Sequence, residues 1–466
     1  MMKEESTYKI QKNCLIFPTT LLLTVILYVS GIITLYVSHL YQISNFPCFV
    51  FMFFLHLLIN PPKQTISPLG VLYGYYGLWY VVAPAFAERY QENTRELPEY
   101  TLAIVMAYIV FGAGLIAIRL GEITGLNSRV NTCGHLIISQ RLLHKLKRWS
   151  LLLYAIATLS IWLIIINTDG GIAKWIVAPG DAFLNRGGTG VYVIISHFSS
   201  WALAALCGYY AYITRKKSPL VLFLLWLILT SPIHGSKLQI ALLGIILFIP
   251  WIKDMRLFSI KSQALVLFLL LVFVLGLYFR NLSWIDVSSF LPYALNYFTA
   301  LANLALSIRD FDPGFLTTFF LPFMKFTTPF GISDANLYYD MNHLLTDHYF
   351  PEAWEIRATE QWPVETDLYL NFFFVGGVPL VVVYFFVVGF IYGYGLKANT
   401  LGWLFVGVFM TVGMISHLRG SLINHTDFYI YPYLLLIVFL FRKFHFPKMN
   451  SKSTNIQIGK SDLSGI

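Results

Sequence analysis

Charge is what this sequence has least of. Only 12% of its 466 residues are Asp, Glu, Lys or Arg, against roughly 25% in soluble domains, which excludes an ordinary water-soluble domain. Cysteine is scarce as well. Cys14 and Cys207 fall in or beside apolar blocks, Cys48 near the end of one and Cys133 in a basic stretch, with no C-x-x-C among them. Neither a disulfide framework nor a zinc site is expected. The chain also lacks a nucleotide-binding loop. "HGSK" at 234–237 has no upstream glycine and strand, so ATP-driven transport by this chain is not expected.

What is abundant is apolar sequence in blocks, at 57% of all residues. A bilayer core of about 30 Å takes about 20 helical residues, and in lipid only a helix or closed barrel satisfies the backbone. Blocks near that size predict spans at 15–38, 46–60, 67–86, 100–118, 149–167, 191–213, 219–233, 238–252, 262–280, 369–395, 399–416 and 428–442. Three of them (46–60, 219–233 and 238–252) are short enough to be half-membrane hairpins. The first is too long for a signal-peptide core and is read as an anchor. The expectation is a single all-α polytopic membrane domain, 1–466, with about twelve transmembrane helices.

Charge between the blocks sets the orientation. With the N-terminus inside, inner segments hold 22 of the 32 basic residues and five of the 23 acidic ones. Both termini are then cytoplasmic, with a basic loop at 119–148 and a basic tail at 443–466. The basic balance is an insertion signal and says nothing of nucleic acid. Loops 168–190 and 281–368 fall outside. The second carries Pro, Asp, Glu, Tyr and Trp at high density, and its stretches 290–306 and 314–330 are apolar enough to lie on or dip into the outer leaflet. It reads as a lid over a site at that surface.

Basic residues are rare outside, and four lie at or near predicted span ends: Arg186 in "NRGGTG", Lys237 in "HGSK", Arg280, and Arg419 in "HLRGS". Each alone is explained by snorkelling or pairing. As a set, three with glycine within two residues, they suit a phosphate or pyrophosphate. Protonatable groups cluster too: His343, Asp347, His348, Glu352, Glu355, Glu360, Glu365 and Asp367. A solvated acidic loop explains most of these. Glu365 and Asp367 stand out because they immediately precede a span. "DFD" at 310–312 has the Asp-x-Asp form of a metal-dependent transferase motif, but three-residue matches arise by chance. His343 and His348 lack a third ligand at metal-like spacing, so no metal site and no cofactor is expected.

The order of these features resembles the Wzy-type O-antigen and capsule repeat-unit polymerases. A basic cytoplasmic loop is followed by "NRGGTG", then "HGSK" between two short spans and an arginine ending span nine. A large external loop then closes with "TDLYLNFFFVGG", and "LRGS" precedes the last span. The resemblance covers roughly 170–430; where many relatives carry Arg, this chain has Lys237. It implies a GT-C-like transferase of the bacterial inner membrane that moves a growing glycan from undecaprenyl pyrophosphate onto a lipid-linked repeat unit. Membrane lipid, a flippase and chain-length regulator proteins are the implied partners. Pyrophosphate is a good leaving group, so the reaction needs positive charge at the leaving oxygens, which Arg186, Lys237, Arg280 and Arg419 can supply. The sugar hydroxyl needs a base, for which Glu365, Asp367 and His343 are candidates. Two alternatives stay open: an O-antigen ligase, and a lipid-linked oligosaccharide flippase, for which the span interiors hold little charge.

Overall fold

The computed structural model describes residues 2–41, 43–86, 97–129, 140–234, 237–253, 255–256, 259–280, 298–328, 331–334, 338–352 and 360–446. Among these residues the chain is helical almost throughout, with isolated bridges and no strand. Among the described residues, six helices are long and apolar enough to cross a membrane: Thr19–Leu40, Pro98–Asn127, Gln140–Ile166, Gly190–Thr214, Val378–Ala398 and Leu401–Leu418. Four shorter apolar helices cover Phe46–Ile59, Ser218–Thr230, Leu238–Leu247 and Asp427–Phe441.

Most predicted blocks coincide with helices, but three boundaries differ for physical reasons. The stretch 119–148, predicted as a loop, is helical up to Asn127 and again from Gln140. Hydropathy sees only the part of a helix that lies in lipid, and charged residues extend these helices past it. The tenth block does not start at 369. A helix Val364–Phe372 ends there, and a turn through Phe373 and Phe374 (φ +51° and +61°) separates it from Val378–Ala398. Finally, the apolar residues expected on the leaflet at 290–306 are turned inward where described: Ala300, Leu301, Ala302, Leu304 and Ala305 are all buried within the protein, while 290–297 lie outside the described residues.

One compact unit comprises 1–127, 288–393 and 410–431. Its centre is Pro98–Asn127, most of whose apolar length is buried. Between helices already in lipid there is no hydrophobic gain, so close van der Waals approach through small residues holds them together. A Cβ on Gly121 would stand 2.1 Å from the Phe386 carbonyl oxygen, and one on Gly389 would stand 2.4 Å from that of Ile118. Gly389→Leu should therefore cost about 1–3 kcal/mol by overpacking, read as a lower thermal midpoint in detergent. An unchanged midpoint would refute the close crossing.

In the same unit, a helix Pro68–Tyr76 widens into a π-helix, Gly77–Val82, and resumes as Ala83–Phe86. Pro84 has no N–H to give to the carbonyl of Tyr80, which disfavours an uninterrupted α-helix at this point. The Ala83 N–H instead reaches back five residues to the Leu78 carbonyl. π-turns recur at functional sites, and this one carries Tyr80, with Tyr76 immediately before it; both are described below.

The other unit comprises 128–287, 394–409 and 432–466. Gln140–Ile166 and Gly190–Thr214 pack against each other, and Gly208 lets the second approach Lys237–Leu247, since a Cβ there would stand 2.0 Å from the Leu247 carbonyl oxygen. Tyr433 stacks on Phe198 at 4.1 Å and donates to its carbonyl at 2.7 Å. Outward faces of this unit remain apolar, with Leu151, Leu152, Leu159 and Trp162 exposed along one helix. Contiguous exposed apolar surface of this kind belongs in lipid.

Candidate functional site

The short helix Val364–Phe372 carries both predicted carboxylates in its first turn, where negative charge favours the helix N-terminus. Its environment separates them. Asp367 is 3% exposed. Its Oδ1 accepts from Asn371 Nδ2 at 2.8 Å and its Oδ2 from the Leu422 N–H at 2.9 Å. A small cavity of about 10 Å³, room for one water-sized group, is lined by Thr318, Phe319, Pro322, Ser421, Leu422 and Ile423 and opens on it. Burial pushes the Asp367 carboxyl up to about 6, and the N–H donors offset only part of that. The Ser421 hydroxyl lies close enough to favour the carboxylate, yet is not in hydrogen-bonding geometry with it.

Asn371 also positions the pocket wall. Its Oδ1 accepts from the Thr318 N–H at 2.7 Å, and its Nδ2 donates to Thr318 Oγ1 at 2.9 Å. The backbone adds Gly314 N–H to the Tyr369 carbonyl and Leu316 N–H to that of Asn371. A Cβ at Gly314 would stand 2.5 Å from the Leu370 carbonyl oxygen, so only glycine lets the segment 314–328, a strap over this helix, approach this closely.

Glu365 has no exposed surface. Its two oxygens accept from Tyr76 Oη at 2.5 Å and Tyr80 Oη at 2.8 Å. The two tyrosine rings stack at 4.7 Å across the start of the π-helix. Burial pushes the Glu365 carboxyl up to about 7 despite both hydroxyl donors. Glu365 is thus enclosed by the two tyrosines with no exposed surface, whereas Asp367 lines a cavity.

His343 lies in the first turn of the helix Met341–Tyr349, capped by Asp340. Asp340 Oδ1 sits 2.9 Å from His343 Nδ1 and also accepts from the His343 N–H at 3.2 Å. Burial pushes the Asp340 carboxyl up, but the His343 hydrogen bonds and charge more than offset it and hold it below the usual range. A carboxylate on one ring nitrogen orients the imidazole and leaves the other to act. Tyr339 packs between this pair and His425, at 4.6 and 5.1 Å, with Lys325 Nζ 4.0 Å over its ring. Asp310 of the Asp-x-Asp match is taken up by Arg309 through two contacts of 2.7 and 2.9 Å and by Tyr349 at 2.9 Å.

The predicted cations divide between the two units. Arg419 belongs with the carboxylates. Its guanidinium lies 5.3 Å over the Trp79 ring and its charge acts on Glu360, while its carbonyl accepts from Asn342 Nδ2 at 3.0 Å. Arg186 belongs to the other unit, in the turn after the helix Pro179–Leu184. Its guanidinium lies 3.7 Å over Phe183, and its charge reaches His197, whose ring is 6.4 Å from that of His234. The side chains of Lys237 and Arg280, and all of Glu355, lie outside the described residues. Asp347, bonded by Tyr338, and the ring-packed His348 lie on the helix of His343.

Sequence reading missed Asp340, Asn371, Tyr76, Tyr80 and His425. Two left a local signal: Asp340 stands three residues before His343 as a helix cap, and Asn371 stands one helical turn after Asp367. The tyrosines left none, being 285 or more positions from Glu365. No family model, curated protein or solved structure matches this chain. Its class therefore rests on its own apolar helices, which mark a helical membrane protein.

Proposed function

We propose that the chain is an oligosaccharide repeat-unit polymerase of the bacterial inner membrane. It would have about twelve spans in a GT-C-like arrangement, cytoplasmic termini, and its chemistry on the periplasmic side. The growing glycan leaves undecaprenyl pyrophosphate as the anomeric carbon is attacked by a hydroxyl of the lipid-linked acceptor. Asp367 carries the proposal: a carboxylate held by N–H donors, opening on a pocket, with its proton affinity raised toward neutrality. A general base works best with a pKa near the working pH. Asp367 takes the hydroxyl proton and Arg419, of the same unit, balances pyrophosphate charge; Arg186, Lys237 and Arg280, of the other unit, are each proposed as phosphate contacts in their own right, and Glu365 is structural. Incubation of purified protein with one lipid-linked repeat unit should yield a ladder. Product transferred only to a lipid A core acceptor would instead indicate a ligase.

Each arginine that holds pyrophosphate should matter through charge-assisted hydrogen bonds worth about 1.5–3 kcal/mol, or roughly 10- to 150-fold in turnover. Arg186→Ala and Arg419→Ala should fall by that factor at normal protein level. Lysine at either position should rescue only part, since it restores charge without the planar fork. Reduced protein level with normal specific activity would make these arginines structural. Activity should also survive EDTA; loss restored by magnesium would return attention to Asp310 and Asp312.

A further inference from the structure

The strap that walls the Asp367 pocket has two unlike faces. Thr318, Phe319 and Pro322 line the pocket. On the other side Phe315, Phe320 and Met324 are exposed, Phe315 at 66% and Phe320 at 53%. Phe373 stacks on Phe315 with rings 9° from parallel, and Val375 beside it is 75% exposed. Within 314–328 the ionisable side chain is Lys325, whose ammonium lies over Tyr339. Contiguous exposed apolar residues of this size mark a surface meant to be covered.

Continuity shows what covers it. Val375 lies three residues before the membrane-length helix Val378–Ala398, on which Leu380, Val383 and Val387 are exposed at helical spacing. Residues three and four apart share one helix face, so these three form a lipid-facing stripe. Phe315, stacked on Phe373, joins the strap's exposed residues to the start of that helix; just past the end of a span, apolar side chains meet acyl chains and headgroups.

We propose that the strap 314–328 is seated in the bilayer leaflet, and that the water-sized Asp367 cavity behind it admits a single hydroxyl of an amphiphile that comes directly from that leaflet. The hydroxyl donates to Asp367 and accepts from the buried Ser421 hydroxyl, which has no hydrogen-bond acceptor in good geometry within the protein. Such a seat requires a membrane protein but not glycan transfer; on the transfer reading, the hydroxyl is the acceptor's.

Photo-crosslinking tests both halves without any activity assay. Benzoylphenylalanine replaces Phe320, or Val383 as an insertion control, in the full-length protein in cell membranes. Adducts at both positions should be lipid. A protein adduct at Phe320, with lipid at Val383, overturns the seat. For the pocket, benzoylphenylalanine replaces Ile423 in protein reconstituted in phosphatidylethanolamine–phosphatidylglycerol vesicles, and the probes are dodecyl glucoside and free glucose. The glucoside should label, and Asp367→Asn should lower labelling about tenfold or more, as expected for a lost charge-assisted hydrogen bond. Equal labelling by free glucose would mean access from water and would overturn the proposal. So would absence of any glucoside adduct while Phe320 still labels lipid.

Discussion

Asp367→Asn should lower chain extension by a factor of about 10²–10⁴, the range that a positioned base contributes. The geometry shapes how that result must be read. Both Asp367 oxygens accept from N–H groups, Asn371 Nδ2 and the Leu422 amide. An amide side chain has one oxygen, so one N–H would face an NH2 group and be left unsatisfied, at about 1–3 kcal/mol. Asp367→Asn is therefore not silent toward stability, and protein level and melting must be measured beside turnover. The separating observation is the pH profile. If Asp367 is the base, kcat/KM of the wild-type protein should rise through about pH 6 as the carboxyl loses its proton. His343→Gln should leave that limb in place. Should Asp367→Asn still build a full ladder, or should His343→Gln remove the acid limb, the Asp340–His343 pair becomes the base.

The helices of this chain were legible because lipid enforces them: apolar blocks of bilayer length can satisfy their backbones only as helices or closed barrels. What was hidden follows from the same physics. The break at Phe373–Gly377 lies inside a continuous apolar run, so hydropathy passes over it. Two phenylalanines in the left-handed region give no compositional warning, although Gly376 and Gly377 just after them do. The candidate site was half legible. Carboxylates and histidines on the large loop announced themselves as polar residues among apolar ones. Their partners did not, because Tyr76 and Tyr80 read as ordinary aromatic residues of a span, and a tyrosine hydroxyl bonded to a distant carboxylate has no periodicity. Glu365 and Asp367 therefore looked equivalent in sequence, being two positions apart. Only packing shows that one opens on a pocket and the other is enclosed.

Glu365 should consequently respond to substitution as a folding residue. Glu365→Leu would leave the Tyr76 and Tyr80 hydroxyls buried without their acceptor, at about 1–3 kcal/mol each, a large share of the roughly 5–15 kcal/mol that keeps a domain folded. Little protein should reach the membrane, and what does should melt early. Glu365→Gln should behave otherwise. Its amide oxygen accepts from one tyrosine, its NH2 group donates to the other's hydroxyl oxygen, and both hydroxyls keep a partner. It should insert normally and build a full ladder. The pH dependence supplies a second signature. Burial raises the Glu365 carboxyl from 4.5 to about 7, so the folded state binds the proton more tightly than the unfolded one. That stabilisation is complete below the free carboxyl's value and is lost as pH rises toward about 7. Asp367, raised from 3.8 to about 6, contributes with the same sign. Wild-type thermal midpoints in detergent should fall between about pH 4.5 and 7, and Glu365→Gln should flatten most of that slope. Normal stability of Glu365→Gln with loss of the ladder would instead place Glu365 in the chemistry and displace Asp367 as the base.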